Sequence, residues 1–172
     1  MKTAIVLGTR PEIIKLSPLI KQLNKKSTSV IFTGQHYDYN MSMRFIDQLG
    51  LSKPNYSMKI PPVKPTLQIA EIIKKLSKIL DKEKPETVIV QGDTNTVLAA
   101  GITSLKSNIP ITHIESGLRS YDWRMPEEHN RITVDHFSDF LFAPTQLNKQ
   151  NLLSEKVHGK IFVTGNTVID AI

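Results

Sequence analysis

The 172-residue sequence predicts an α/β fold, a mainly parallel sheet covered by helices, on three observations. Short apolar runs alternate with segments of 3.6-residue periodicity along the whole chain, the pattern of βα units. No internal repeat or low-complexity stretch interrupts that alternation. Residues with amide or chargeable side chains sit just past the ends of the apolar runs, at Thr9-Arg10-Pro11, Gln35-His36, Asp93-Thr94 and Glu115-Ser116-Gly117. In a helix-covered parallel sheet those points share one edge, and ligands bind in the crevice outside the carboxyl ends of the strands.

The elements follow in order. Strands are expected near residues 3–8, 29–34, 56–60, 86–91, 110–115, 139–143 and 160–164, with helices between them. The first helix is expected from Pro11, because Ile13, Leu16, Ile20 and Leu23 recur at spacings of three and four and make a core-facing stripe. Pro18 inside it predicts a kink or a restart. Pro61-Pro62-Val63-Lys64-Pro65 reads as a stiff loop between a strand and a helix. The helix that follows, over about 65–82, carries Ile69, Ile72, Ile73, Leu76, Ile79 and Leu80 on one face, with Lys74, Lys75 and Lys78 among its polar positions. Pro126 opens another, in which Glu127 and Glu128 suit the macrodipole and Glu127 is expected to pair with Arg131 at i,i+4. After a last strand and turn over 162–166, residues 167–172 begin an apolar-periodic segment that one helical turn does not complete. The chain is therefore expected to end where a further unit begins.

Composition narrows the function classes. The net charge is +6, but the lysines behind it fall mainly in 21–26 and 74–84, on helix faces and ends, and the few Phe and Tyr do not interleave with them. No nucleic-acid partner is expected. The absence of cysteine excludes a disulfide framework, a thiolate nucleophile and a cysteine-held zinc. The apolar run at 3–8 is too short for a signal-peptide core, and no segment approaches the roughly 20 apolar residues of a spanning helix. A cytoplasmic protein with no membrane partner is the expectation.

Chemistry is sought at the strand ends. At Gly8-Thr9-Arg10-Pro11 the glycine and the helix-opening proline make a tight turn whose backbone N–H groups favour an anion such as phosphate, with Arg10 and Lys15 adding positive charge. An ordinary turn with two solvated cations fits the same residues, which make neither a dinucleotide fingerprint nor a P-loop. Asp93 suits a helix N-cap or a functional carboxylate equally. Glu115 ends an apolar strand with no helix to cap, which favours function. The two lie 22 positions apart, one βα unit, so they are expected to end neighbouring strands roughly 4.8 Å apart. Gln35-His36-Tyr37-Asp38 fits a binding loop or a surface turn, and Trp123 a lid or a half-buried anchor. His36, His113, His129, His136 and His158 make no i,i+4 ligand pair and no His-Glu-x-x-His, and there is no Gly-x-Ser-x-Gly, so neither a metal site nor a nucleophilic serine is predicted.

Taken together, Gly8-Thr9-Arg10-Pro11-Glu12-Ile13-Ile14-Lys15, Gln35-His36, Gln91-Gly92-Asp93-Thr94, His113-Ile114-Glu115-Ser116-Gly117-Leu118-Arg119, Pro126-Glu127-Glu128-His129-Asn130-Arg131 and Thr164-Gly165-Asn166-Thr167-Val168-Ile169-Asp170 closely resemble the non-hydrolysing UDP-N-acetylglucosamine 2-epimerases. The resemblance runs in order along essentially the whole chain. It implies a two-domain fold of the glycosyltransferase-B type, two Rossmann-like halves with the nucleotide sugar between them. Residues 1–166 then form the N-terminal Rossmann-like domain, and 167–172 start the connection to a C-terminal domain that carries the family's catalytic histidine and most of its uridine contacts.

The implied reaction interconverts UDP-N-acetylglucosamine and UDP-N-acetylmannosamine. A base removes the C2 proton as UDP leaves C1, and UDP adds back to the glycal as C2 is protonated from the other face. By resemblance Asp93, Glu115 and Glu127 are the acid and base carboxylates, and Arg10, Lys15, Gln35, His36 and Arg131 join Asp93 and Glu115 in binding the UDP-sugar, with Arg10 and Lys15 on the pyrophosphate. Clustered carboxylates should raise at least one pKa. No cofactor is implied, and a homodimer is. Ser116 departs from the alanine common in the family. Val63-Lys64-Pro65-Thr66-Leu67 departs from the Arg-Gln-x-Leu pattern of members activated by a second substrate molecule. Ser120 to Glu127 is similar to relatives that act on diacetamido sugars, so an epimerase of such a sugar stays open, as does a non-catalytic nucleotide-sugar-binding half-protein. A glycosyltransferase of the same architecture would require an acceptor site, and the three carboxylates count against it.

Overall fold

Seven strands and seven helices alternate in the computed structural model, which describes residues 1–34 and 39–171. The order is β1 (Thr3–Leu7), α1 (Arg10–Gln22), β2 (Thr28–Phe32), α2 (Tyr39–Gln48), β3 (Tyr56–Ser57), α3 (Pro65–Glu83), β4 (Thr87–Gln91), α4 (Asn95–Lys106), β5 (Ile111–Ile114), α5 (Pro126–Phe137), β6 (Phe140–Ala143), α6 (Gln146–Ser154), β7 (Lys160–Val163) and α7 (Thr167–Asp170). The strands form one parallel sheet in the order β3-β2-β1-β4-β5-β6-β7. This is the expected Rossmann-like α/β architecture. Strand order reverses between β1 and β4, and such a switch point opens a crevice at the carboxyl ends of the two strands.

The central strands are apolar on both faces because both are covered, so β1 and β4 are buried along their full length. Alternation along β1 divides the core. Ala4 and Val6 pack with Ile72, Leu76 and Leu80 of α3 and Val97 and Ala100 of α4, whereas Ile5 and Leu7 pack with Ile13 and Leu16 of α1 and Phe32 of β2. A smaller cluster of Leu141, Ala143 and Leu152 holds α6 on the far side.

Two local expectations are corrected, the restart at Pro18 and the length of the third strand. The first helix does not restart at Pro18 but runs from Arg10 to Gln22, with Pro11 its second residue. Proline removes the donor that would bond the carbonyl four residues back, and Ser17 Oγ donates to that Ile14 carbonyl at 2.8 Å instead. The third strand is only Tyr56–Ser57, since Lys59 takes a left-handed φ of 49° and the chain leaves the ladder there. The one-turn α7 does not stand alone: it packs against α1, and Asn166 caps it by accepting from the Val168 N–H at 3.1 Å.

Candidate active site

A cleft of about 290 Å³ lies at the switch point, lined by Thr9, Pro11, Glu12 and Lys15 after β1, by Gln91 to Thr94 at the end of β4, by Glu115 and Leu118 after β5, and by Glu127. Its floor depends on close approach of backbone. A Cβ at Gly8 would collide with the hydroxyls of Thr33 and Thr96, which hydrogen-bond each other at 2.8 Å beside it. Residues from four separate stretches of sequence thus reach one crevice.

Glu115 follows β5 in the left-handed region, φ 67°, a conformation that a non-glycine residue holds only when its surroundings impose it. Its carboxylate receives Lys15 Nζ at 2.6 Å, Gln91 Nε2, and Asn166 Nδ2 at 3.2 Å. Asp93 stands at the end of the neighbouring strand, as expected from the spacing: Gln91 is in register with Ile114. The helix cap, however, is Thr94, whose Oγ1 accepts from Val97 N, which leaves Asp93 to receive the Nε (3.0 Å) and Nη2 of Arg131.

Arg131 therefore does not make the expected pair with Glu127. Its Nη1 donates instead to Glu128 Oε2 at 2.7 Å, three positions back. The cause is the facing of the helix. Glu128 is fully buried and Glu127 is exposed on the cleft. Glu128 also accepts from the N–H of Ser120 and Tyr121, at 3.1 and 2.9 Å, and from the Ser120 hydroxyl at 2.9 Å. Burial works to raise its pKa, and these donors with Arg131 outweigh it and hold the carboxyl below its ordinary range.

The turn after β1 differs from the expectation. Its N–H groups are not open to an anion, because Gly8 N and Thr9 N both donate to Glu12 Oε2, each at 2.6 Å. Thr94 Oγ1 donates to the other oxygen at 2.7 Å. Burial pushes the Glu12 pKa up in spite of these bonds. Thr9-x-x-Glu12 is a capping-box spacing, a signal legible in the sequence. Arg10 lies outside the cleft lining, exposed, with its guanidinium 5.6 Å over the Phe45 ring. Gln35 and His36 lie outside the described residues. Trp123 is exposed and tilted against His129, ring centroids 5.2 Å apart.

Sequence reasoning also passed over a buried set beneath the cleft, His113, Asp135 and Arg119. Nothing in their spacing links them; only the packing of α5 on β5 does. Among the described residues no three of His, Asp and Glu gather closely enough to hold a metal ion, and no helix is long and apolar enough to cross a membrane.

The family profile described as UDP-N-acetylglucosamine 2-epimerase matches residues 20–172. The UDP-N-acetylglucosamine 2-epimerase of Methanocaldococcus jannaschii is 49% identical over 174 residues, spanning 99% of this chain and 48% of that protein. Its crystal structure in complex with UDP-GlcNAc and UDP superposes with a TM-score of 0.95 over 99% of this chain and 48% of that one. The UDP-2,3-diacetamido-2,3-dideoxy-D-glucuronate 2-epimerase of Pseudomonas aeruginosa is 40% identical over 177 residues, 99% of this chain and 50% of that protein. The lipopolysaccharide outer core galactosyltransferase WaaB, in its apo form, shares the fold alone, with a TM-score of 0.65 at 20% identity over 96% of this chain and 46% of that one. The chain spans about half the length of the curated relatives it matches. With nearly its full length matched at 49% identity, and with the strand order that carries the cleft, the chain belongs to the UDP-N-acetylglucosamine 2-epimerase family.

Proposed function

We propose that this chain forms one half of an enzyme that interconverts UDP-N-acetylglucosamine and UDP-N-acetylmannosamine. The observation that carries the reading is the convergence of Asp93, Glu115 and Glu127 on one cleft at the switch point, with Lys15 beside Glu115. Elimination and re-addition need a base at C2, an acid on the opposite face and cations for the departing diphosphate. The three carboxylates supply the first two and Lys15 and Arg10 the third. Positioned proton transfer contributes typically about 10²–10⁴ in rate. Lys15 reaches the pyrophosphate by exchanging Glu115 for phosphate oxygens, which leaves Glu115 with Gln91 and Asn166. A cytoplasmic location and a homodimer belong to the same reading.

The test uses the chain extended to the length of its relatives. In heavy water, UDP-N-acetylglucosamine should yield the C2 epimer with deuterium at C2 and no acceptor. Product that keeps its original hydrogen at C2, or transfer to an acceptor, would remove the epimerase reading. The 172-residue chain alone should show no turnover, because the reading places the remaining catalytic and uridine contacts in the other half.

The P. aeruginosa relative, 40% identical, favours a second reading in which the substrate is a UDP-diacetamido sugar. Comparing kcat/KM for the two sugars decides between them. UDP binding without C2 exchange would instead mark a non-catalytic binding protein.

A further inference from the structure

Beneath the cleft lies a set of charges that the proposed chemistry does not use. His113, on β5, is fully buried. Its Nδ1 is 2.7 Å from Asp135 Oδ1 and its Nε2 is 2.8 Å from the Gly92 carbonyl oxygen. A carbonyl oxygen only accepts, so Nε2 carries a proton; a carboxylate only accepts, so Nδ1 carries one as well. The ring is an imidazolium. The second Asp135 oxygen receives Gly117 N at 3.1 Å and Arg119 Nη1 at 2.8 Å, and the buried guanidinium charge of Arg119 favours the carboxylate form of Asp135. Burial opposes the charge on His113, and Asp135, the Gly92 carbonyl and Asp93 outweigh it, so its pKa is raised. Burial likewise opposes the charge on Asp135, and His113 and Arg119 hold it low.

The two ends of this chain of bonds lead to the two cleft carboxylates. The Gly92 carbonyl immediately precedes Asp93, and the Gly117 N–H lies two residues past Glu115. Strand register ends at Gln91 and Ile114, and beyond it both turns adopt left-handed backbone, with φ of 82° at Gly92, 67° at Glu115 and 79° at Gly117. Past the register the backbone holds each turn by a single bond, Gly92 N to the Ile114 carbonyl at 3.2 Å and Ser116 N to the Phe142 carbonyl at 3.1 Å, so the side-chain set below them adds to a sparse backbone tether. A buried ion pair is weak support for stability, since desolvation offsets much of its attraction.

We propose that Asp135 is the positioning residue of the cleft: through His113 it fixes the Gly92–Asp93 turn, and through the Gly117 N–H it fixes the turn behind Glu115. One buried carboxylate thereby sets the separation of Asp93 and Glu115. The proposal rests on the epimerase reading only in taking those two residues as catalytic.

The first test needs no substitution. In the ¹⁵N-labelled 172-residue chain both ring nitrogens of His113 should be protonated at pH 7, above the ordinary histidine pKa of about 6.5. A neutral ring at pH 7 overturns the proposal. In Asp135→Asn the carboxylate ¹³C resonances of both Asp93 and Glu115 should move while that of Glu83, remote on α3, does not; movement of only one, or of neither, overturns it. Should that variant fail to fold, His113→Gln is expected to move Asp93 more than Glu115, and equal or reversed shifts overturn it. In the extended chain Asp135→Asn should lower kcat by about 10–100-fold, the scale of a misplacement near 1 Å, with KM changed less than about three-fold. Unchanged kcat in a folded Asp135→Asn would reduce Asp135 to a structural residue. The resonance measurements need no turnover, so a wild type inactive on UDP-sugars removes the epimerase reading and leaves the positioning result standing.

Discussion

Lys15 Nζ lies 2.6 Å from Glu115 Oε2, so the cation proposed for the diphosphate rests on a carboxylate proposed for the chemistry. Phosphate and Glu115 then compete for one ammonium. A charge-assisted bond is worth about 1.5–3 kcal/mol, so Lys15→Ala should weaken UDP binding by about ten-fold or more. Glu115→Gln should abolish turnover yet bind UDP as tightly as wild type or more tightly, because the competitor for Lys15 has lost its charge. Calorimetric titration of both variants checks the pair. A parallel loss of affinity in the two would sink the competition.

Arg10 sits on the first turn of α1, exposed and over the Phe45 ring. As a diphosphate contact it should contribute on the same scale as Lys15, and Arg10→Ala should weaken UDP binding about ten-fold, with the difference shrinking as salt is raised. Equal affinities at low salt, with folding checked separately, would make Arg10 an ordinary turn residue.

The features legible in the sequence were those encoded by adjacency and period. β1, β4 and α3 could be read because each is a run whose apolar residues alone determine its burial, and the switch-point edge followed from the residues that terminate those runs. Thr9 and Glu12 were close enough in sequence for their bond to be read, yet the proline beside them pointed to an open anion site. Partner choice in space was not legible. Arg131 has acids at three and four positions back, and nothing local states that Glu127 faces the cleft while Glu128 is buried under Ser120 and Tyr121. His113 and Asp135 are 22 positions apart on a strand and a helix, and only the packing of α5 on β5 joins them.

Glu83, at the end of α3, ties down the edge of the sheet. It accepts from Tyr56 Oη at 2.5 Å and from Ser29 Oγ at 2.7 Å, with Lys2 Nζ 3.3 Å away. The Tyr56 hydroxyl first, then Ser29 and Lys2, hold its pKa down at about 2 against an ordinary 4.5. A depressed carboxyl stabilises the fold above its unfolded pKa and ceases to as pH falls toward the folded one. Wild type should therefore lose stability between about pH 4.5 and pH 2, and Glu83→Gln should show a flatter slope there in denaturant titrations. An unchanged slope would mean that Glu83 is not the titrating group.

Ser116 is fully buried beside Glu115, and its Oγ has no hydrogen-bond partner among the described residues. An unsatisfied buried hydroxyl carries a desolvation penalty of about 1–3 kcal/mol. Ser116→Ala removes that penalty and leaves only a small void, so the variant should be more stable by about 1 kcal/mol, seen as a higher urea midpoint at unchanged slope. Destabilisation would show that the hydroxyl has a partner in solution, such as an ordered water.

Glu12 fills the position where a helix N-terminus would otherwise hold an anion. Its carboxylate takes the Gly8 and Thr9 N–H groups and the Thr94 hydroxyl, and Glu12→Ala takes the acceptor away from all three donors, while Thr94 Oγ1 still accepts from Val97 N. Each unsatisfied buried group costs about 1–3 kcal/mol and entering water recovers part of it, so a net loss of about 2–4 kcal/mol is expected. The vacated donors sit at the positive end of α1, which favours an anion. Inorganic phosphate should therefore raise the melting temperature of Glu12→Ala by more than that of wild type. Acidity separates Glu12 from Glu83. Burial raises the Glu12 pKa, so its contribution is largest below the unfolded value of about 4.5 and is lost as pH rises through the raised folded value, the opposite slope to Glu83. Glu12→Gln should remove that falling component from the stability profile above pH 4.5. A profile identical to wild type, together with no phosphate response in Glu12→Ala, would show that the carboxylate does not occupy the anion position of the turn.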